Sequence, residues 1–129
     1  MSDFKTDYIK YRIEKCKEEF TDAKLLAEQE RWNASVNRLY YSCYYIVSAL
    51  ALKNNINTKT HSGLKTQLNL HFIKTGIIPS EFGLLYTDLF DSRQKGDYGD
   101  LFDFDGETVE ALTPSVEKFI KELENLILT

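Results

Sequence analysis

The sequence predicts an all-α protein, folded as an antiparallel up-and-down bundle of four long helices and a shorter one. Apolar residues recur at steps of three and four along nearly the whole chain, which is the period of helices with one buried face. Only six glycines and two prolines occur, too few for the turns of a β-sandwich. The segments between the periodic stretches are short, and short connections join antiparallel neighbours.

The length predicts a single domain over residues 1–129, and no cofactor is expected. Of its residues, 43% are hydrophobic and 28% charged, which is ordinary globular composition. The net charge of -4 argues against strong nucleic-acid binding by a general positive field. Neither a membrane-spanning run nor a signal peptide is evident, so a cytoplasmic protein is expected. Cys16 and Cys43 lie among apolar neighbours and are expected to be small core residues.

The first helix follows the candidate caps Ser2 and Asp3 and reaches roughly the segment EQER. The second begins after Asn33, a candidate N-cap, and runs to about Lys53. Between these two residues Arg38 is the only charged residue. A helix so apolar all round is expected at the centre of a bundle or in a dimer interface.

The remaining three helices are delimited by glycines and small polar residues. The third starts between Thr60 and Ser62 and ends at Gly76. The fourth starts at a Ser80 cap and ends at Gly96. The last runs from about Glu107 to Leu128, and its regular part is expected to begin just before Pro114, with Thr113 as its cap.

Arg93 lies at the edge of the buried face of the fourth helix and must find an anion for its fork of donors. The following GDYGD contains glycines that permit a tight turn, which would bring Asp97 and Tyr98 back beside it. One interpretation is an Arg93–Asp97 pair that closes the helix end. The other is a functional anion site.

Arg38 and two phenols form a polar stripe on the apolar second helix, because Arg38, Tyr41 and Tyr45 follow at steps of three and four. This stripe predicts either a buried network that fixes helix register, or a phosphate site. In the phosphate site the guanidinium would clamp the anion, and the phenols would donate or stack.

His61 opens the third helix, where free backbone amides favour an anion, although a cap or a surface position is equally consistent. His71 is expected to pack near Leu64 and Leu68. Neither histidine has a second ligand at helical spacing, and the acidic loop lacks the first and twelfth ligands of a calcium loop. No metal site is therefore expected.

Three runs together resemble the HEPN domain family, and most closely its small stand-alone prokaryotic members encoded beside minimal nucleotidyltransferases. The runs are NASVNRLYYSCYYIVSAL, KTHSGLKTQLNLHFIKTG and RQKGDYGD. The resemblance implies a helical bundle, a homodimer and a nucleotidyltransferase partner in a toxin–antitoxin or defence system. It also implies a relation to metal-independent ribonuclease toxins.

In the ribonuclease members, the motif is an arginine followed after four to six residues by a histidine. Arg93 matches the arginine, but Tyr98 stands where the histidine would be. A phenol with an ordinary pKa near ~10 is a poor proton shuttle at neutral pH. Three roles are left open. Tyr98 donates to a phosphate, His61 supplies the imidazole from another helix, or, as the resemblance implies, Tyr98 is nucleotidylated by the partner.

Three functional hypotheses follow. The first is a nucleotide- or RNA-binding accessory module that uses these residues: Arg38, Tyr41, His61, Arg93, Asp97 and Tyr98. The second is an active ribonuclease centred on Arg93 and His61, with Tyr98 as a third candidate catalytic residue. The third is a structural polar network without a ligand.

Overall fold

The computed structural model describes the backbone of residues 3–98 and 103–129, and the side chains of residues 4–93 and 103–129. It confirms the all-α bundle, because this part of the chain holds helices and no strand. The elements are α1 (Asp3–Glu28), α2 (Trp32–Lys53), α3 (His61–Leu68), a π-helical turn (Asn69–Ile73), α4 (Ser80–Tyr98) and α5 (Gly106–Leu128).

Helix α2 is the central element and packs against α1, α3, α4 and α5. Its apolar residues are buried on more than one face; Ile46, Val47 and Ala49, for example, point in different directions from the helix axis and are all buried. Neighbours within one chain therefore account for the all-round apolarity of α2. A homodimer stays a prediction that rests on the family resemblance.

The start of α2 differs from the prediction. Asn33 is not the N-cap, because the helix begins at Trp32 and Arg31 occupies the cap position without a side-chain hydrogen bond. Asn33 instead ties the start of α2 to the segment before α5: its amide donates to Asp103 over 3.0 Å and accepts the Phe104 N–H over 2.8 Å. The Asn33 side chain therefore forms hydrogen bonds with residues distant in sequence instead of capping α2.

The start of α5 also differs. Asp105 is the N-cap and accepts the Thr108 N–H over 2.8 Å. Thr113 is not a cap, because its hydroxyl donates to the Val109 carbonyl inside the helix. Pro114 lies within α5, at the cost of one backbone hydrogen bond. Since Val109 and Val116 on either side of it are fully buried, packing offsets that cost.

Helix α3 continues as a π-helical turn before the chain reverses at Gly76, whose φ of +81° suits glycine. Leu64, Leu68 and Phe72 are buried as predicted. His71 is exposed, contrary to prediction. The wider π turn changes the phase of the residues that follow Leu68, so α-helical spacing mispredicts the direction of the imidazole.

Helix α4 runs to Tyr98, two residues beyond the predicted end at Gly96. The expected tight turn at Gly96 is therefore wrong, because the backbone through Asp97 and Tyr98 is helical. The side chains of Asp97 and Tyr98 lie outside the described residues. Upstream, Tyr86, Leu89 and Phe90 are buried against the core.

Candidate functional site

Tyr40 is the residue around which the predicted site residues meet. It lies in the middle of α2 and its side chain is completely buried. Its hydroxyl is 2.7 Å from His61 Nδ1, at the start of α3. The Arg93 guanidinium, on α4, lies over the Tyr40 ring at 5.1 Å from its centroid. One phenol thus connects three helices.

His61 is held by rings rather than by backbone amides. It is the first residue of α3, and Thr60 before it is the N-cap, which accepts the Gly63 N–H over 2.9 Å. The His61 ring stacks on Tyr44 with a centroid distance of 4.3 Å and an interplanar angle of 13°. His61 is therefore not the cap, and its ring is half-buried against α2.

The protonation states of the pair follow from burial and charge. Burial, and then the positive charge of Arg93, lower the pKa of His61 from its ordinary value of 6.5. Burial raises the pKa of Tyr40 to about 12. At neutral pH the imidazole is accordingly neutral and the phenol protonated.

Two proton arrangements fit the 2.7 Å distance between Tyr40 and His61. If the phenol donates to Nδ1, then Nε2 carries the imidazole proton and can donate to an anion. If Nδ1 donates to the phenol, Nε2 keeps a lone pair and can accept a proton. The same geometry therefore suits anion binding and acid–base chemistry.

Tyr86 lies beneath this pair on α4, and its ring stacks on that of Tyr40 at 5.9 Å. Burial and the nearby Tyr40 hydroxyl raise the pKa of Tyr86. Within the described residues, the buried Tyr86 hydroxyl forms no hydrogen bond that meets the usual distance and angle limits. The Tyr40 hydroxyl therefore acts on Tyr86 electrostatically rather than through a well-formed bond.

Arg38 already has an anion within the chain. Its Nη1 donates to Glu19 over 2.7 Å and its Nη2 donates to Asn37 over 2.6 Å. The guanidinium also lies 5.1 Å from the Tyr41 ring centroid. Arg38 and Arg93 nevertheless line the same cavity of about 410 Å³, so this pair of cations faces a common space.

Tyr41 completes the connection, because its ring lies 5.2 Å from Tyr40 and 5.9 Å from His61, edge to face in both cases. Of the site residues that the sequence predicts, Arg38, Tyr41, His61 and Arg93 therefore lie in one continuous cluster. Tyr45 adjoins this cluster through Tyr44, with a ring distance of 5.5 Å.

Sequence reasoning missed Tyr40, Tyr44 and Tyr86, because tyrosines at the apolar positions of a helix are ordinary core residues. A signal was available, because a phenol on a buried face requires a partner for its hydroxyl. The run YYSCYY places four such rings within six residues of a central helix. Which partner each one finds depends on α3 and α4, and helical spacing carries no information on that.

No metal centre or membrane span is found in the described part of the chain. No group of three or more histidine, cysteine, aspartate or glutamate side chains there could hold an ion. None of the described helices is long and apolar enough to cross a membrane. Cys16 and Cys43 are buried free thiols, and burial raises the pKa of Cys16 to about 12.

Comparison with known proteins gives the family. Residues 9–126 match the model of the HEPN domain. A UPF0332 protein of Thermotoga maritima is 39% identical over 123 residues, which cover 95% of this chain and 93% of the relative. Two Methanocaldococcus jannaschii proteins, each named "Putative toxin", are also similar. One is 34% identical over 67% of this chain and 64% of its own length. The other is 29% identical over 91% of this chain and 80% of its own length. The chain belongs to the HEPN domain family.

Proposed function

We propose that this chain is a toxin-like HEPN module that binds a nucleotide or an RNA phosphate through Arg93 and His61. The observation that carries the proposal is the position of these two side chains, from different helices, against the same buried Tyr40. Two archaeal relatives carry the word toxin in their names, which favours a toxin-like role.

The chemistry of the cluster suits a phosphate. A guanidinium offers several donors in a fixed fork, which matches the oxygens of a phosphate. The neutral His61 can add a donor from Nε2, and Tyr41 offers a half-buried ring beside it. Arg38 is expected to contribute mainly through its charge, because Glu19 already occupies its Nη1.

Binding of a fluorescently labelled RNA oligonucleotide, and of mononucleotides by calorimetry, tests the proposal. We expect Arg93→Ala to weaken binding at least about tenfold, the loss of one charge-assisted hydrogen bond, with little change in melting temperature. Arg31→Ala and His71→Ala are matched controls, because both side chains are exposed. A purely structural network predicts the reverse: Arg93→Ala destabilises by about 1–3 kcal/mol and no ligand binds.

A second candidate is a metal-independent ribonuclease. The specific observation in its favour is the lowered pKa of His61 beside the Arg93 cation. A neutral imidazole can withdraw the proton of a ribose 2′-hydroxyl, whose oxygen then attacks the adjacent phosphorus. The bond from phosphorus to the 5′-oxygen of the next nucleotide breaks, that oxygen takes up a proton from the imidazolium or from water, and a 2′,3′-cyclic phosphate remains. Arg93 would stabilise the negative charge that develops on the phosphate oxygens. Tyr98 remains a third candidate for this chemistry, at the position of the family's histidine.

Incubation with total and synthetic RNA in EDTA separates the two candidates. Cleavage that is lost in both His61→Ala and Arg93→Ala, but kept in His71→Ala, would establish the ribonuclease. Cleavage that persists in His61→Ala would remove His61 from the mechanism. Binding without cleavage at any protein concentration would leave the binding module.

Partners form the last part of the proposal and rest on the resemblance. We propose that the protein is a homodimer and pairs with a minimal nucleotidyltransferase, in a toxin–antitoxin or defence system. Tyr98 is then the expected site of nucleotidylation. Mass spectrometry after incubation with that enzyme and a nucleoside triphosphate tests this: the added mass should be absent in Tyr98→Phe and present in Tyr8→Phe.

A further inference from the structure

A second feature of the molecule lies beside the cluster, in a groove of about 400 Å³ between α1, the C-terminal half of α2 and the segment that enters α3. Four tyrosines line it: Tyr8, Tyr11, Tyr44 and Tyr45. Its volume is within the range of small-ligand sites, about 300–1,000 Å³. We name it the tyrosine groove.

The tyrosine groove presents open aromatic surface. Tyr8 and Tyr11 are 59% and 55% exposed, although both are large rings on a helix that has a buried face. Exposed aromatic rings in a groove are the platforms on which unpaired nucleobases stack. Stacking requires a ring face, which these two residues offer and the buried Tyr40 does not.

The charge in the groove is positive, against the trend of the chain. Arg12 is the only charged residue among the described lining residues, none of which is a carboxylate. Lys15 is paired with Glu18 at 3.7 Å, and it also lies close enough to Tyr11 and Tyr45 to interact electrostatically with both. The chain as a whole has 20 acidic and 16 basic residues, so a groove without an acidic side chain is distinctive.

A second groove, between α4 and α5, has a different set of lining residues. It is larger, about 720 Å³, but Glu81, Asp88 and Glu122 line it together with two lysines. Carboxylates repel a phosphate backbone, and no aromatic ring other than Phe82 lines that groove among the described residues. Of these two grooves, the tyrosine groove is therefore the better suited to nucleic acid.

The tyrosine groove is connected to the candidate site through one residue, Tyr44. Tyr44 lines the groove and also stacks on His61 at 4.3 Å. A strand with one phosphate at Arg93 and His61 would thus find the next aromatic surface at Tyr44 and the groove beyond it.

From this connection we infer that the tyrosine groove seats unpaired bases of a single-stranded RNA that is held at Arg93 and His61. Tyr8 and Tyr11 stack on the bases, while Arg12 and Lys15 attract the backbone. Duplex RNA does not bind there, because its bases are stacked on each other and unavailable to tyrosine rings. The inference rests on the proposed nucleotide or RNA binding and adds the position and strandedness of the bound segment.

The test compares a labelled 12-nucleotide oligouridine with a duplex of the same length, in EDTA, by fluorescence anisotropy. We expect the double variant Tyr8→Ala/Tyr11→Ala to lose about tenfold or more in affinity for the single strand. Tyr8→Phe/Tyr11→Phe should bind as the wild type does, because it keeps both ring faces. Leu84→Ala, which removes an exposed side chain from the other groove, is the control. Lys15→Gln should lower the slope of log affinity against log salt by about 0.7.

The outcomes separate this inference from the proposed function. If the wild type binds the oligonucleotide, Arg93→Ala weakens it and the double alanine variant does not, the site stands and the groove is wrong. If the wild type binds neither RNA nor mononucleotide, both fail. If light scattering shows that the double alanine variant turns a dimer into a monomer without a change in RNA affinity, the groove is an interface between copies, which also overturns the inference.

Discussion

Removal of the Tyr40 hydroxyl tests whether the cluster is a connected unit. Tyr40→Phe deletes one oxygen and leaves the ring, so the contacts with Tyr44, Tyr86 and Phe90 remain. The hydrogen bond to His61, with its 2.7 Å distance, is lost. The Tyr40 side chain has no exposed surface, but the His61 ring is only half-buried, so water can take the place of the lost partner at the imidazole.

The expected magnitude follows from these contacts. A hydrogen bond of this kind contributes about 0.5–1.5 kcal/mol net. Loss of the neighbouring oxygen adds little for Tyr86, whose hydroxyl has no well-formed bond among the described residues. We therefore expect Tyr40→Phe to lower the free energy of unfolding by about 1 kcal/mol. Tyr40→Ala, which also opens a cavity, should cost about 3–5 kcal/mol.

Urea denaturation at pH 8, followed by circular dichroism, measures both values. A double-mutant cycle with His61→Ala isolates the shared bond and should give a coupling energy of about 1 kcal/mol. Tyr8→Phe, at an exposed ring on α1, should change nothing. A coupling energy within about 0.3 kcal/mol of zero would refute the view that Tyr40 and His61 act together.

Three further predictions concern charge and helix ends. Arg93→Gln should raise the pKa of His61, since it removes the cation that helps to lower it; an NMR titration measures this, with His71→Asn for assignment, and an unchanged pKa would contradict the geometry. A folded-state pKa below 6.5 means that the unfolded chain binds the proton more readily. The contribution of His61 to stability should therefore be complete above pH 6.5 and fall as the pH drops towards the folded-state pKa, and His61→Asn should flatten the unfolding free energy in that window. Asp105→Ala should destabilise by about 1 kcal/mol through loss of the α5 cap, whereas Thr113→Ala should cost less; equal losses in thermal melts would restore Thr113 as the cap.

The fold was predictable because each helix carries its own periodic signal. The apolar steps along α1, α2 and α5 depend only on local spacing, and the residues they mark, such as Ile13, Leu39 and Leu123, are buried. The helix ends were less predictable. Asn33 has a side chain suited to an N-cap, but it forms hydrogen bonds with the distant Asp103 and Phe104 instead.

The candidate site was predictable only in its polar members. Arg93 and His61 attract attention because a cation or an imidazole beside an apolar face is rare enough to require an explanation. Tyr40 does not, since a tyrosine on a buried face is ordinary core until a partner for its hydroxyl is known. That partner lies 21 residues away on another helix, and no local pattern contains this contact.

Arg38 on α2 and Arg93 on α4 have different surroundings. Both line one cavity, yet Arg38 is bound to the buried Glu19 of α1, which ties α2 to α1 in the way a register-fixing network would. Arg93 lies over the Tyr40 ring, and its charge acts on the His61 imidazole. A phosphate in the cavity would compete with Glu19 for Arg38. At Arg93 the phosphate would instead meet a cation and an imidazole that already interact with each other. The two ends of the cavity therefore differ chemically, and variants of Arg93 are the better test of function.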